Sequence, residues 1–162
     1  MQVWVVVRLI LLVILANGTP VIAKKFLGNR FSYPVDSGFR CHDGQPLFGA
    51  SKTVRGILLS VLASMIGAYV TGLGCKTGAL LGSAAMLGDL FSSFLKRRMR
   101  LPISSQAIGL DQVPESLFPL LACRQALSLT ASDTAFAVVG FFVGETLISR
   151  ILYKFRLRDR PY

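Results

Sequence analysis

The stretch that decides the fold is GSAAMLGDLFSSFLKRR, residues 82–98. It begins as an apolar helix of small residues and ends in three consecutive cations, Lys96, Arg97 and Arg98. Between them stands one carboxylate, Asp89. At 3.6 residues per turn, Asp89, Ser93 and Lys96 share a helical face, with Arg97 close beside it. An acid at membrane depth costs roughly 2.5–3.5 kcal/mol on insertion scales, so it normally faces a polar cavity or a partner. Two readings stand equally here. Asp89 holds a divalent cation beside phosphate-binding cations, or it pairs with Lys96 at the membrane edge.

Composition agrees with a membrane setting. The 162 residues are 52% hydrophobic, and the mean hydropathy is +0.57. Several runs are long enough for a bilayer core of about 30 Å, which takes about 20 residues. The formal charge of +10 collects mostly in three clusters outside these runs. In a soluble protein it would point to nucleic acid. Here it points to membrane orientation and anionic headgroups, and no nucleic-acid partner is expected. Cys41, Cys75 and Cys123 lie far apart without metal spacing, and His42 is the single histidine, which excludes a His-cluster metal site.

Working outward, residues 3–22, 57–73, 77–95, 114–130 and 134–153 are expected as five transmembrane helices. The fold class is therefore an all-α membrane protein, one domain over residues 1–162, with two functional loops. The first apolar run is read as a retained helix, because Lys24 and Lys25 follow it where a signal peptide is charged before it. Asn17, Gly18, Thr19 and Pro20 interrupt its end. The loop over residues 24–55 carries many turn formers and five aromatics, and reads as an ordered cap. Its end, GASKTVRG, places Lys52, Thr53 and Arg55 just before a helix, where phosphate is favoured. Membrane flanking is the better bet for these cations on that stretch alone, by the positive-inside rule. The second loop, residues 96–113, ends at Asp111 and Gln112. Asp111 is a helix cap or a second metal-binding carboxylate facing Asp89, and Glu115 can play either part or simply favour the helix N-terminus. The one-sided Lys and Arg clusters put the N-terminus outside and the C-terminus in the cytoplasm. Glu145 lies near the middle of the last helix and is expected to face the bundle interior.

Four stretches resemble the CDP-archaeol synthases, membrane cytidylyltransferases distantly similar to CDP-diacylglycerol synthases. They are PVDSGFRCHDGQPLFGASKTVRG (34–56), SAAMLGDLFSSFLKRR (83–98), LDQVPESL (110–117) and LRDRP (157–161). Ser37 stands where that family's first loop is usually richer in glycine. The resemblance implies that CTP and a membrane lipid phosphate give a CDP-lipid and pyrophosphate, with Mg2+. It implies Asp89 and Asp111 as metal ligands, with Asp43 a weaker candidate. Lys52, Arg55, Lys96 and Arg97 would clamp phosphates, and Thr53, Ser93 and Arg98 complete the expected nucleotide site. The setting is a bacterial or archaeal cell membrane, and a homodimer is one assembly to consider. A small transporter or a non-catalytic subunit binding anionic lipid is the rival class. Against a transporter, no repeat is evident and the polar residues gather on one membrane face.

Overall fold

A computed structural model describes residues 2–103, 105 and 107–154; the basic tail and its LRDRP motif lie outside the described residues. Five helices follow in order: α1 Val3–Leu27, α2 Val54–Val70, α3 Cys75–Arg98, α4 Gln112–Cys123 and α5 Ala131–Lys154. Each packs on its neighbour in sequence, and α5 returns to α1, so the helices close a ring. Within the ring α1 also touches α3 and α4. Three helices, α1, α3 and α5, are long and apolar enough to cross a membrane.

Small residues set the helix spacing, as expected where lipid tails are as apolar as leucine and close backbone packing drives association. A Cβ at Gly78 would meet the Ser64 carbonyl oxygen at 2.4 Å, and one at Gly82 would meet Ser64 at 2.9 Å. Thus α3 lies almost backbone to backbone on α2. On its other side, a Cβ at Gly88 would stand 2.2 Å from the Pro114 carbonyl oxygen. That contact pins the start of α4 one residue from Asp89.

Two boundaries differ from the sequence expectation. Helix α1 continues through Pro20 to Leu27, five residues beyond residue 22. Proline removes the bond to the carbonyl four residues back, here Ala16. Ser60 Oγ on α2 donates to that carbonyl at 2.7 Å, so the break is repaired from outside. Asn17 and Thr19 donate to the carbonyls of Val13 and Leu15 within the helix. Helix α4 stops at Cys123, seven residues before residue 130. Turns and a bridging segment follow, and Thr130 and Asp133 then exchange hydrogen bonds at the start of α5.

The first loop is ordered, as its aromatics implied. It carries two isolated bridges, Pro34 to Thr53 and Arg40 to Pro46. Asp36, mostly buried, accepts hydrogen bonds from the backbone N–H groups of Gly38, Phe48 and Gly49. Burial opposes the Asp36 charge, but the three donors together outweigh it and hold the carboxyl below its ordinary range. Ser37 next to it has φ of +48°. This left-handed conformation suits glycine, which is the physical reason for glycine at such a place.

Candidate functional site

Lys52 leaves the first loop one residue before the N-cap of α2. Its Nζ reaches Asp89 on α3 at 2.5 and 2.6 Å to the two carboxylate oxygens. The side chains are 22% and 19% exposed, so the pair is partly open to a cleft. Burial works against the Lys52 charge; Asp89, then Glu115, and more weakly Asp111 outweigh it and raise its pKa. Lys52 is thus paired with Asp89 and lies in the field of two further carboxylates. Glu115, in the first turn of α4, is buried and lies within hydrogen-bond reach of Asp89.

A second ion pair lies across α3. Lys96 Nζ stands 2.6 Å from Asp111, and both side chains are about nine-tenths buried. Lys96 also donates to the Ser105 carbonyl, and Arg97 donates to the Pro102 carbonyl. Asp111 accepts from the Ala107 N–H and so braces the second loop. A third pair closes the first loop onto the end of α3. Arg98 donates to Asp43 at 2.8 Å and to the carbonyls of Gln45 and Pro46, while stacking on Phe94.

The expected site residues therefore divide. Lys52 and Asp89 meet each other, and Thr53 lines the same cleft. Thr53 also caps α2 by accepting from the Gly56 N–H. Arg55 lines the cleft too, but its guanidinium donates to the carbonyls of Gly28 and Arg30. Ser93 is buried in α3. Asp43 and Arg98 are paired with each other, and Asp111 is paired with Lys96. The Asp89–Lys96 pair, one of the two readings of the α3 stretch, is not formed: Asp89 meets Lys52 and Lys96 meets Asp111. Glu115 and Asp36 carry more of the arrangement than the sequence disclosed. An acid in the α4 first turn reads as ordinary helix polarity, and Asp36 as ordinary turn polarity, until the tertiary contacts are seen.

Among the described residues, no three His, Cys, Asp or Glu groups converge closely enough to cage a metal ion. The donors present suit a cation that takes one or two carboxylates and completes its shell with phosphates and water. Magnesium is such a cation. The cleft itself encloses about 530 Å³ and runs from Asp89 to the end of α1. Apolar helices, ion pairs at various depths and a cleft with cationic and apolar walls fit a membrane-embedded enzyme that handles a phosphate-bearing substrate.

The comparisons with known proteins give the particular family. Residues 73–162 match the family model CarS-like: CDP-archaeol synthase. The CDP-archaeol synthase of Pyrobaculum islandicum is 32% identical over 152 residues, covering 91% of each chain. That of Pyrobaculum calidifontis is 32% identical over 165 residues, covering 97% of this chain and 98% of the relative. A solved structure described as an intramembrane enzyme for archaeal membrane lipids biosynthesis superposes with a TM-score of 0.75. It is 25% identical, with 88% of this chain and 90% of that chain covered. The chain belongs to the CDP-archaeol synthase family. It is an integral-membrane nucleotidyltransferase, a CTP-dependent cytidylyltransferase of lipid biosynthesis.

Proposed function

We propose that Asp89 and Lys52 form the centre at which CTP meets an ether-lipid phosphate of an archaeal cell membrane. The observation that carries this reading is the ion pair itself, set in a cleft that has both cationic and apolar walls. A phosphate oxygen of the lipid attacks the α-phosphorus of CTP. The new P–O bond forms as the bond to the β-phosphate breaks, and pyrophosphate leaves. Such transfers need alignment and charge neutralisation more than covalent help from protein. With a phosphate bound, Lys52 would exchange its carboxylate partner for that phosphate, and Asp89 would be among the residues that hold magnesium. Glu115 stands beside Asp89 for the same role, and Asp111 is the further carboxylate of the set. Magnesium, when bound, would neutralise charge on the phosphates. Lys96 and Arg97 face the second loop and orient it around the nucleotide.

By the positive-inside rule, the basic clusters of the sequence favour loops and a C-terminus in the cytoplasm, where CTP is available, with the N-terminus outside. The assembly to be tested alongside is a homodimer, by light scattering in detergent. The deciding experiment supplies labelled CTP and a panel of lipid phosphates to purified protein and reads the CDP-lipid. In parallel, Mn2+ binding is followed by electron paramagnetic resonance in wild type and Asp89→Asn. Product formation by wild type with loss of both signals in Asp89→Asn supports the reading. Near-normal turnover in Asp89→Asn overturns it.

A further inference from the structure

The cleft has walls of two kinds. Pro20, Ile57, Met86 and Leu90 give it an apolar side, while Lys24, Lys52 and Arg55 give it a cationic side. Two of these cations are already engaged. Lys52 holds Asp89, and Arg55 holds the Gly28 and Arg30 carbonyls. Lys24 differs. It lies in the last turn of α1, is exposed, and its ammonium has no ion pair or hydrogen bond among the described residues. Pro20 stands one turn before it on the same helical face. A lysine stem can lie along such an apolar surface while its ammonium stays at the polar edge.

We propose that Lys24 binds the phosphomonoester of the lipid substrate, with the first part of the lipid chains laid against Pro20, Ile57, Met86 and Leu90. The inference rests on the CDP-lipid reading above and adds the substrate position and a residue outside the quoted motifs. A phosphate could come from the nucleotide as well as from the lipid. The apolar wall favours the lipid, because a triphosphate gains nothing from apolar surface whereas a lipid buries its chain there. The Lys24 charge then brings the attacking phosphate to the mouth of the cleft whose floor is Lys52 and Asp89.

The test uses the full chain in detergent with two probes, a short-chain dialkylglycerol phosphate and CTP. Binding of each is measured by titration calorimetry, and KM for each is measured in the coupled reaction, for wild type, Lys24→Gln and Lys24→Arg. Lys24→Gln is expected to weaken lipid-phosphate binding and raise its KM by about tenfold, the scale of one lost charge-assisted hydrogen bond. CTP binding stays within about twofold on the same scale, and Lys24→Arg recovers most of the loss. The uncharged dialkylglycerol binds wild type and Lys24→Gln alike. Equal losses for CTP would assign the phosphate to the nucleotide, and unchanged values for both probes would return Lys24 to membrane flanking; either overturns the proposal. If wild type forms no CDP-lipid, the reaction assignment fails, and the calorimetry still decides the role of Lys24.

Discussion

Ser60 Oγ donates 2.7 Å to the carbonyl of Ala16, the acceptor that Pro20 leaves without its helical partner. A hydroxyl on α2 thereby completes the backbone of α1 at the point where a proline would otherwise break it. Because α1 stays helical past Pro20, Lys24 and Gly28 reach the cleft. The expected consequence is conditional. Ser60→Ala should destabilise the protein by about 0.6–2 kcal/mol, the range for interhelical hydrogen bonds in membranes. The same change in a Pro20→Ala background should cost much less, since the helix then satisfies Ala16 itself. Thermal unfolding in detergent of the four members of this cycle checks it, and additive losses would refute it.

Lys52 and Asp89 should not be separable without loss. Lys52→Met and Asp89→Asn are each expected to lower kcat/KM by at least about 100-fold, close to 3 kcal/mol of transition-state stabilisation. Asp89→Glu moves the carboxylate by one methylene, and should fall nearly as far if a magnesium geometry is being met. An ion pair alone would tolerate that change. Steady-state kinetics on the three variants, with folding monitored by size exclusion, separate the two.

At Gly88 α3 lies almost against the backbone of α4. Gly88→Ala must push Pro114 and Glu115 away, at about 1–3 kcal/mol for overpacking. Turnover should fall because Glu115 is displaced from Asp89. Gly18→Ala, with nothing within 4 Å of its new methyl, is the control and should leave unfolding and turnover nearly unchanged. Equal behaviour of the two variants would show that the α3–α4 contact does not set the site.

Asp36 predicts a pH dependence. Its folded pKa is held below the ordinary value, so the unfolded chain binds the proton more readily. Its contribution is present above the unfolded pKa of about 3.9 and fades as pH falls through the folded value. Above about pH 5, Asp36→Asn should lower stability by roughly 1.5–3 kcal/mol, as for hydrogen bonds to a charged group. The gap between wild type and variant should narrow as the pH falls below about 4. Unfolding midpoints measured from pH 3 to 7 check the sign; a gap that widens in acid would contradict it.

Ser37→Gly should stabilise the first loop by roughly 0.5–1 kcal/mol. It relieves a left-handed backbone at +48° while giving back part of that gain to chain entropy. A lower unfolding midpoint for the variant would show that the Ser37 side chain matters more than its backbone.

The helices were legible because hydropathy is a local property. Residues 57–73 and 77–95 lie within a few positions of α2 and α3. The end of α1 was not, because Pro20 reads as a stop until Ser60, forty positions away in the chain, is known to cover Ala16. The site shows the same division. Helical spacing singled out Asp89, but spacing offers only partners on the same helix, such as Lys96. The structure draws Lys52 from the preceding loop and gives Lys96 to Asp111. For Glu115 the sequence left open a helix cap, a metal-binding carboxylate and simple helix polarity. What turns it toward Asp89 is the absence of a side chain at Gly88, which no periodicity reports.

The short α4 has a geometric consequence. Its first turn meets α3 at Gly88, ten residues before α3 ends at Arg98. At 1.5 Å per residue, the start of α4 meets α3 about 15 Å below the tip of α3. The Lys52–Asp89 pair thus lies below that tip, where Arg98 fastens the first loop. A lipid need not lift its tails into water for its headgroup to react. On the proposed reading, the soluble substrate makes the longer journey, descending to the level at which the insoluble one already rests.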